Sequence, residues 1–149
     1  MQKSAREQGR KANVGCYALT YVRASAIGRK MFMTKTITVY EKPTCTTCRN
    51  LTKLFIENGV DWDKVNYFIE PFTVKKLGAL LKKTGLRPYE VLRRSEPDFK
   101  GLGITAETPD ADVIKAMVAY PSIIQRPIVK VGDKAVLARP IEKALELIK

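Results

Sequence analysis

One passage constrains this chain more than any other: Thr36-Ile37-Thr38-Val39-Tyr40, then Glu41-Lys42-Pro43-Thr44-Cys45-Thr46-Thr47-Cys48. Ile37, Val39 and their neighbours read as a buried strand, which Pro43 ends. Cys45 to Glu57 then reads as a helix with Leu51, Leu54, Phe55 and Ile56 facing inward, stopped at Asn58-Gly59. A Cys-x-x-Cys pair is thereby delivered to the first turn of a helix that leaves a strand. A thiol is a weak nucleophile until it ionises, normally near about pH 8.5. At a helix N-terminus the unsatisfied N–H groups and the dipole favour the thiolate, and Lys42 and Arg49 add positive charge nearby. In such pairs the first cysteine usually faces solvent and the second is partly buried. Cys45 is therefore the candidate nucleophile and Cys48 the candidate resolver. Two unrelated core cysteines, or half of a metal site, are the other readings of a lone pair. Its place after a strand, with no second ligand pair, favours thiol redox chemistry.

Downstream the elements alternate. Val60 to Phe68 reads as a second strand, and Thr73 caps a helix containing Leu77, Leu80 and Leu81 that ends at Gly85. A helical turn from Pro88 to Arg94 precedes a loop containing Pro97. Thr108-Pro109-Asp110 is a helix start with Thr108 as its cap, leading through Val113, Met117 and Val118 to Tyr120. Ile128 to Val131, Gly132-Asp133 and Ala135 to Ala138 predict a hairpin. Pro140 then opens a last helix with Ile141, Leu145 and Ile148. The fold class is α/β. The order β-α-β, helices, β-β-α is that of a thioredoxin-like fold with a helical insertion between its two halves. In such folds a proline at the start of the third strand is commonly cis and lies beside the reactive cysteine. Gln125-Arg126-Pro127-Ile128 fits that place and would hold Arg126 near Cys45.

Composition narrows the chemistry. The chain has no histidine and three cysteines in 149 residues. Mechanisms that need an imidazole base or ligand are excluded, and three thiols alone cannot close a tetrahedral zinc site. So few cysteines suit a reducing, cytoplasmic setting rather than a disulfide scaffold. No apolar stretch has the roughly 20 residues a membrane helix needs. The net charge is +12, and half of it lies in residues 1–33, which carry seven basic side chains and one acid. Basic residues elsewhere are scattered and not interleaved with aromatics. Binding of a small anion is thus the more economical reading than nucleic acid. Residues 1–33 have no clear period and are expected to form a basic extension outside a domain spanning 34–149. Three readings of that extension remain open: a start-site artefact with Met31, Met33 or a nearby codon as the working start, a disordered or partly helical tail, or a targeting segment. Cys16 lies within it and is treated as incidental.

Pro43-x-Cys45, Arg49-Asn50, Leu92-Arg93, Arg126-Pro127-Ile128 and Arg139-Pro140, taken in order, resemble the ArsC family of glutaredoxin-coupled arsenate reductases and their relatives. The resemblance covers roughly residues 35 to 149. It implies that Cys45 attacks arsenate or a similar oxyanion, which Arg93, Arg126 and Arg139 hold, with Thr46, Thr47 and Arg49 completing the substrate-binding set. Guanidinium forks suit a tetrahedral oxyanion because they form paired, charge-assisted hydrogen bonds. The resemblance implies no tightly bound cofactor. The electrons would come from glutathione with glutaredoxin, or from thioredoxin, and a monomer is expected. Two positions depart from the family's reductases. They carry a histidine four residues before the nucleophile, where this chain has Glu41, and a non-cysteine residue where it has Cys48. The Cys-x-x-Cys pair also resembles that of Spx-type regulators, which share the fold, bind RNA polymerase and sense oxidants.

Overall fold

The computed structural model describes residues 35–149. The expectations for residues 1–33, Cys16 included, lie outside the described residues. The described part follows the expected order: β1 (Ile37–Glu41), α1 (Thr46–Glu57), β2 (Asp63–Asn66), α2 (Val74–Thr84), α3 (Pro97–Lys100), α4 (Asp110–Ala119), β3 (Ile128–Val131), β4 (Lys134–Leu137) and α5 (Lys143–Ile148). Single 3-10 turns at Pro88–Val91 and Pro121–Ile123 complete the helical insertion between β2 and β3.

The four strands form one sheet in the order β2-β1-β3-β4. β1 runs parallel to β2 and antiparallel to β3, with Val39 opposite Val129 and Tyr40 opposite Ile128. Gly132, at φ 58°, turns the β3–β4 hairpin where a side chain would be strained. Because strand residues alternate between faces, the sheet separates two apolar layers. Val39, Val129 and Val131 pack with Leu51 and Phe55 of α1 and Ala144 of α5. Tyr40, Ile128 and Ala135 pack on the other face with Leu77, Leu80 and Leu81 of α2 and Val113 and Met117 of α4.

Several local expectations need correction. β2 is shorter than Val60–Phe68, because Asn66 Oδ1 accepts the Phe68 N–H at 3.1 Å and its carbonyl accepts from Ile69 and Glu70, bending the chain away. Ile56 is 66% exposed, one position off the stripe that Cys48, Leu51 and Phe55 bury. Pro97 starts a short helix instead of sitting in a loop. Pro109, not Thr108, takes the cap position of α4, while Thr108 Oγ1 accepts the Thr105 N–H at 3.0 Å and closes the preceding loop. The last helix opens at Lys143, after turns that follow Pro140. Thr73 and Gly85 cap α2 as expected. The Thr73 hydroxyl accepts from Lys76 N–H at 3.2 Å, and Gly85 adopts the left-handed conformation.

Candidate active site

Cys45 is the N-cap residue of α1, in extended conformation, with its carbonyl accepting the Arg49 N–H at 3.1 Å. Ser, Thr, Asp or Asn usually caps a helix at this place by accepting from the second or third N–H. Cys45 makes no capping bond of ordinary geometry, yet the Thr47 and Cys48 N–H groups lie close enough to its sulfur to favour the charged form. Burial alone would push the Cys45 thiol up. The Cys48 N–H, the Cys48 thiol, the Arg126 guanidinium and the Thr47 N–H outweigh it and lower the pKa to about 7. Thr46 and Arg49 are exposed and Thr47 is half-buried. The contribution of Thr47 to the sulfur is its backbone amide and not its hydroxyl.

Cys48 lies one turn further in and is 1% exposed. Burial is the main reason its pKa is pushed up to about 12. The Lys42 N–H opposes this, while the neighbouring Cys45 and Glu41 reinforce it. The pair is therefore asymmetric. Around neutral pH Cys45 ionises, while Cys48 stays a neutral thiol whose presence favours the Cys45 thiolate.

Arg126 reaches Cys45 from the segment just before β3, and the Arg126-Pro127 bond is cis, as expected. The Arg126 side chain is buried, with a guanidinium N–H donating to the Ser122 carbonyl at 3.3 Å. Burial opposes its charge, but Tyr67 and Cys45 outweigh burial and hold its pKa above the usual arginine value. The Phe68 ring lies under two cations, with Lys42 Nζ at 4.5 Å and Arg126 at 5.8 Å from its centroid. Arg139 Nε donates to the backbone carbonyl of Arg126 at 2.9 Å, and its own peptide bond to Pro140 is also cis. Arg93 is brought to the same edge by backbone pairing: its N–H donates to Ile123 O at 2.7 Å, and Leu92 bridges to Ile124. The Arg93 guanidinium is turned to Glu96, at 2.8 Å.

The structure thus assembles Cys45, Cys48 and Arg126, seats Arg139 on Arg126, and places the Arg93 backbone alongside with its guanidinium engaged elsewhere. Tyr67 was not legible as part of this group. Its ring belongs to the core, 1% exposed, and its hydroxyl lies close to Arg126 without an aligned partner; Arg126 Nε is likewise buried and unpaired. Burial pushes the Tyr67 pKa up to about 12, so the hydroxyl remains neutral. Nothing in the Asn66-Tyr67-Phe68 sequence separates a core tyrosine from one beside the thiol. Among the described residues no group of three or more His, Cys, Asp or Glu side chains could hold a metal ion. No helix among them is long and apolar enough to cross a membrane.

A thioredoxin-like domain with an ionisable cysteine at a helix N-terminus, beside a buried arginine, is the class that fold and site define. The ArsC family model matches residues 40–147, and the chain belongs to the ArsC family. It is 35% identical over 118 residues to the uncharacterized protein YfgD of Escherichia coli, covering 78% of this chain and 99% of that one. It is 34% identical over 113 residues to the arsenate reductase ArsI2 of Synechocystis, covering 75% and 81%. Among solved structures, an arsenate reductase from Vibrio cholerae superposes with a TM-score of 0.71 at 27% identity, over 76% of this chain and 98% of that one.

Proposed function

We propose that this protein is a thiol-dependent reductase of arsenate or a closely similar oxyanion, with residues 34–149 as its catalytic unit, acting in the cytoplasm as a monomer. The observation that carries the reading is the Cys45 thiol, lowered to about 7, beside the buried Arg126 cation. A thiolate facing a cation and open helix N–H groups is equipped to attack the centre of an anion that those same groups neutralise.

Cys45 Sγ attacks arsenic, a sulfur–arsenic bond forms, and one oxygen leaves as water after gaining protons. Arg126, Arg139 and Arg93 carry the negative charge of the bound oxyanion, Arg93 after release from Glu96. Thr46, Thr47 and Arg49 line the approach. A second thiol, Cys48 or glutathione, then attacks Cys45 Sγ. A disulfide forms, the sulfur–arsenic bond breaks, and arsenic departs with the electron pair, reduced from As(V) to As(III). Two thiols have lost the two electrons that arsenic gained. Thioredoxin, or glutathione with glutaredoxin, restores the thiols, and no tightly bound cofactor takes part.

The dithiol pair also suits an oxidant-sensing regulator of the Spx type. Arg139 seated on Arg126 favours the reductase, since an oxyanion needs a further cation and a switch does not. The test is arsenate-dependent NADPH oxidation, coupled separately to glutathione with glutaredoxin and to thioredoxin with its reductase. Turnover that disappears in Cys45→Ser supports the reading. No turnover with either system overturns arsenate as the substrate.

A further inference from the structure

Glu41, at 5% exposure, is with Arg126 one of the two buried charged side chains among the described residues, and the chemistry above leaves it unused. Alternation along β1 puts Glu41 on the same sheet face as Val39, the face covered by α1, and opposite to Tyr40. That face is otherwise apolar: Val39, Val129, Leu51 and Phe55 make up its core. Cys48 lies on the buried stripe of α1 with Leu51 and Phe55, and the N–H of Lys42, the peptide that follows Glu41, acts on its sulfur. The carboxylate has one ionic partner, Lys64 of β2, at 3.9 Å; the Lys64 side chain is 47% exposed. So loose a pair does little to offset the cost of taking a carboxylate out of water. A residue kept there against that cost, between β1 and the resolving thiol, calls for a chemical use.

We propose that Glu41 is the proton acceptor for Cys48 when Cys48 attacks the species bonded to Cys45. The inference rests on reading Cys48 as the resolving thiol. In the resting pair the Cys45 thiolate and the Cys48 thiol share one helix turn, and the Cys48 thiol favours the charged form of Cys45. Once Cys45 is bonded to substrate its negative charge is gone, and the Glu41 carboxylate is the anion left on the Cys48 side. The Cys48 S–H bond breaks and its proton passes to the carboxylate. The Cys48–Cys45 S–S bond forms, and the group on Cys45 leaves with the bonding electron pair. The groups facing Glu41 are Lys64 from β2, beside the uncharged Asn66 that pairs with Glu41, and Cys48 from α1, while the nearest β3 residue on that face, Val129, is uncharged and pairs with Val39. Lys64 favours the ionised, proton-accepting form, and burial opposes it more strongly, holding the Glu41 pKa above the usual carboxyl value. The base is therefore poised closer to neutrality than an exposed glutamate.

The test isolates the resolving step from arsenate chemistry. The full chain is loaded with glutathione on Cys45 by oxidised glutathione. Release of glutathione and formation of the Cys45–Cys48 disulfide are followed by acid quench and peptide mass mapping from pH 4 to 9. The wild-type rate is expected to rise along an acid limb set by Glu41. In Glu41→Gln that limb should vanish and the rate at pH 7 should fall about 100-fold, the usual scale for a positioned base. Glu41→Asp should restore the limb in part. A carboxylate that merely repels the Cys48 thiolate gives the opposite sign, because its removal would ease ionisation and speed release. A Glu41→Gln rate equal to or above wild type, in protein of native circular dichroism, overturns the proposal while leaving Cys48 as resolver. Wild-type protein that releases no more glutathione than Cys48→Ser removes the resolver reading, and this proposal with it.

Discussion

Replacing Arg126 with glutamine separates its effect on the thiol from its effect on the substrate. Arg126→Gln keeps the backbone carbonyl that holds Arg139 and removes the guanidinium beside Cys45. With its pKa at about 7, Cys45 is about half thiolate at neutral pH. The Thr47 and Cys48 N–H groups and the Cys48 thiol survive the substitution, so only part of the depression should be lost, about one unit for a nearby charge. At pH 7 the ionised fraction then falls about fivefold, but a more basic thiolate is intrinsically about threefold more reactive. Alkylation of Cys45 by iodoacetamide at pH 7 should therefore slow by only about twofold. The midpoint of the pH–rate profile, read by peptide mass mapping, should move from about 7 to about 8. Arsenate turnover in the same variant should fall far more, about 100-fold, because the lost donor faces the charge of the oxyanion. A midpoint that stays put or moves down, in protein of unchanged circular dichroism, would refute the assignment of Arg126 as the cation that holds the Cys45 thiolate.

Three further outcomes follow from the same structure. Thr73→Ala removes the hydroxyl that accepts the Lys76 N–H and should cost about 1 kcal/mol in urea unfolding; an unchanged midpoint would contradict the cap. Glu41 has its pKa raised in the fold, so its contribution favours folding at low pH and is lost as pH rises through the folded value. Glu41→Gln should thus be more stable than wild type at pH 7, with the gain fading as pH drops into the carboxyl range; a loss of stability at pH 7 would count against an uncompensated buried carboxylate. Immobilised protein should retain no RNA polymerase from purified preparations in either redox state. Retention that depends on oxidation would transfer the dithiol pair from catalysis to regulation.

The elements that sequence disclosed are those with local chemistry. Thr73 and Gly85 bound α2 because a hydroxyl cap and a left-handed glycine act within one turn. Ile128 to Val131 and the Gly132-Asp133 turn specify the hairpin for the same reason. The strand, proline and Cys45 at the head of α1 were legible because the pair of thiols sits on that one boundary. Choices that depend on a distant partner were not. Whether Thr108 caps α4 or closes a loop on Thr105 is a competition between two nearby N–H donors of similar worth. The pairing of Leu92 with Ile124, which carries Arg93 to the edge near Arg126, is a contact between residues 32 apart in the chain. Tyr67 and Glu41 read as a core aromatic and a strand-end charge, and only the closed sheet with α1 laid over it puts one near Arg126 and the other in the layer of Cys48.

The most direct test of the two-thiol mechanism is a single turnover without any external thiol. Fully reduced protein is mixed with arsenate and quenched in acid; arsenite is counted by speciation and the Cys45–Cys48 disulfide by peptide mapping. With Cys48 as the second thiol, about one arsenite is expected for each Cys45–Cys48 disulfide formed, because two thiols supply the two electrons that As(V) takes up, and neither product in Cys45→Ser. Arsenate left intact while both cysteines stay reduced, without external thiol and again after glutathione is added, would contradict the thiol-dependent reduction.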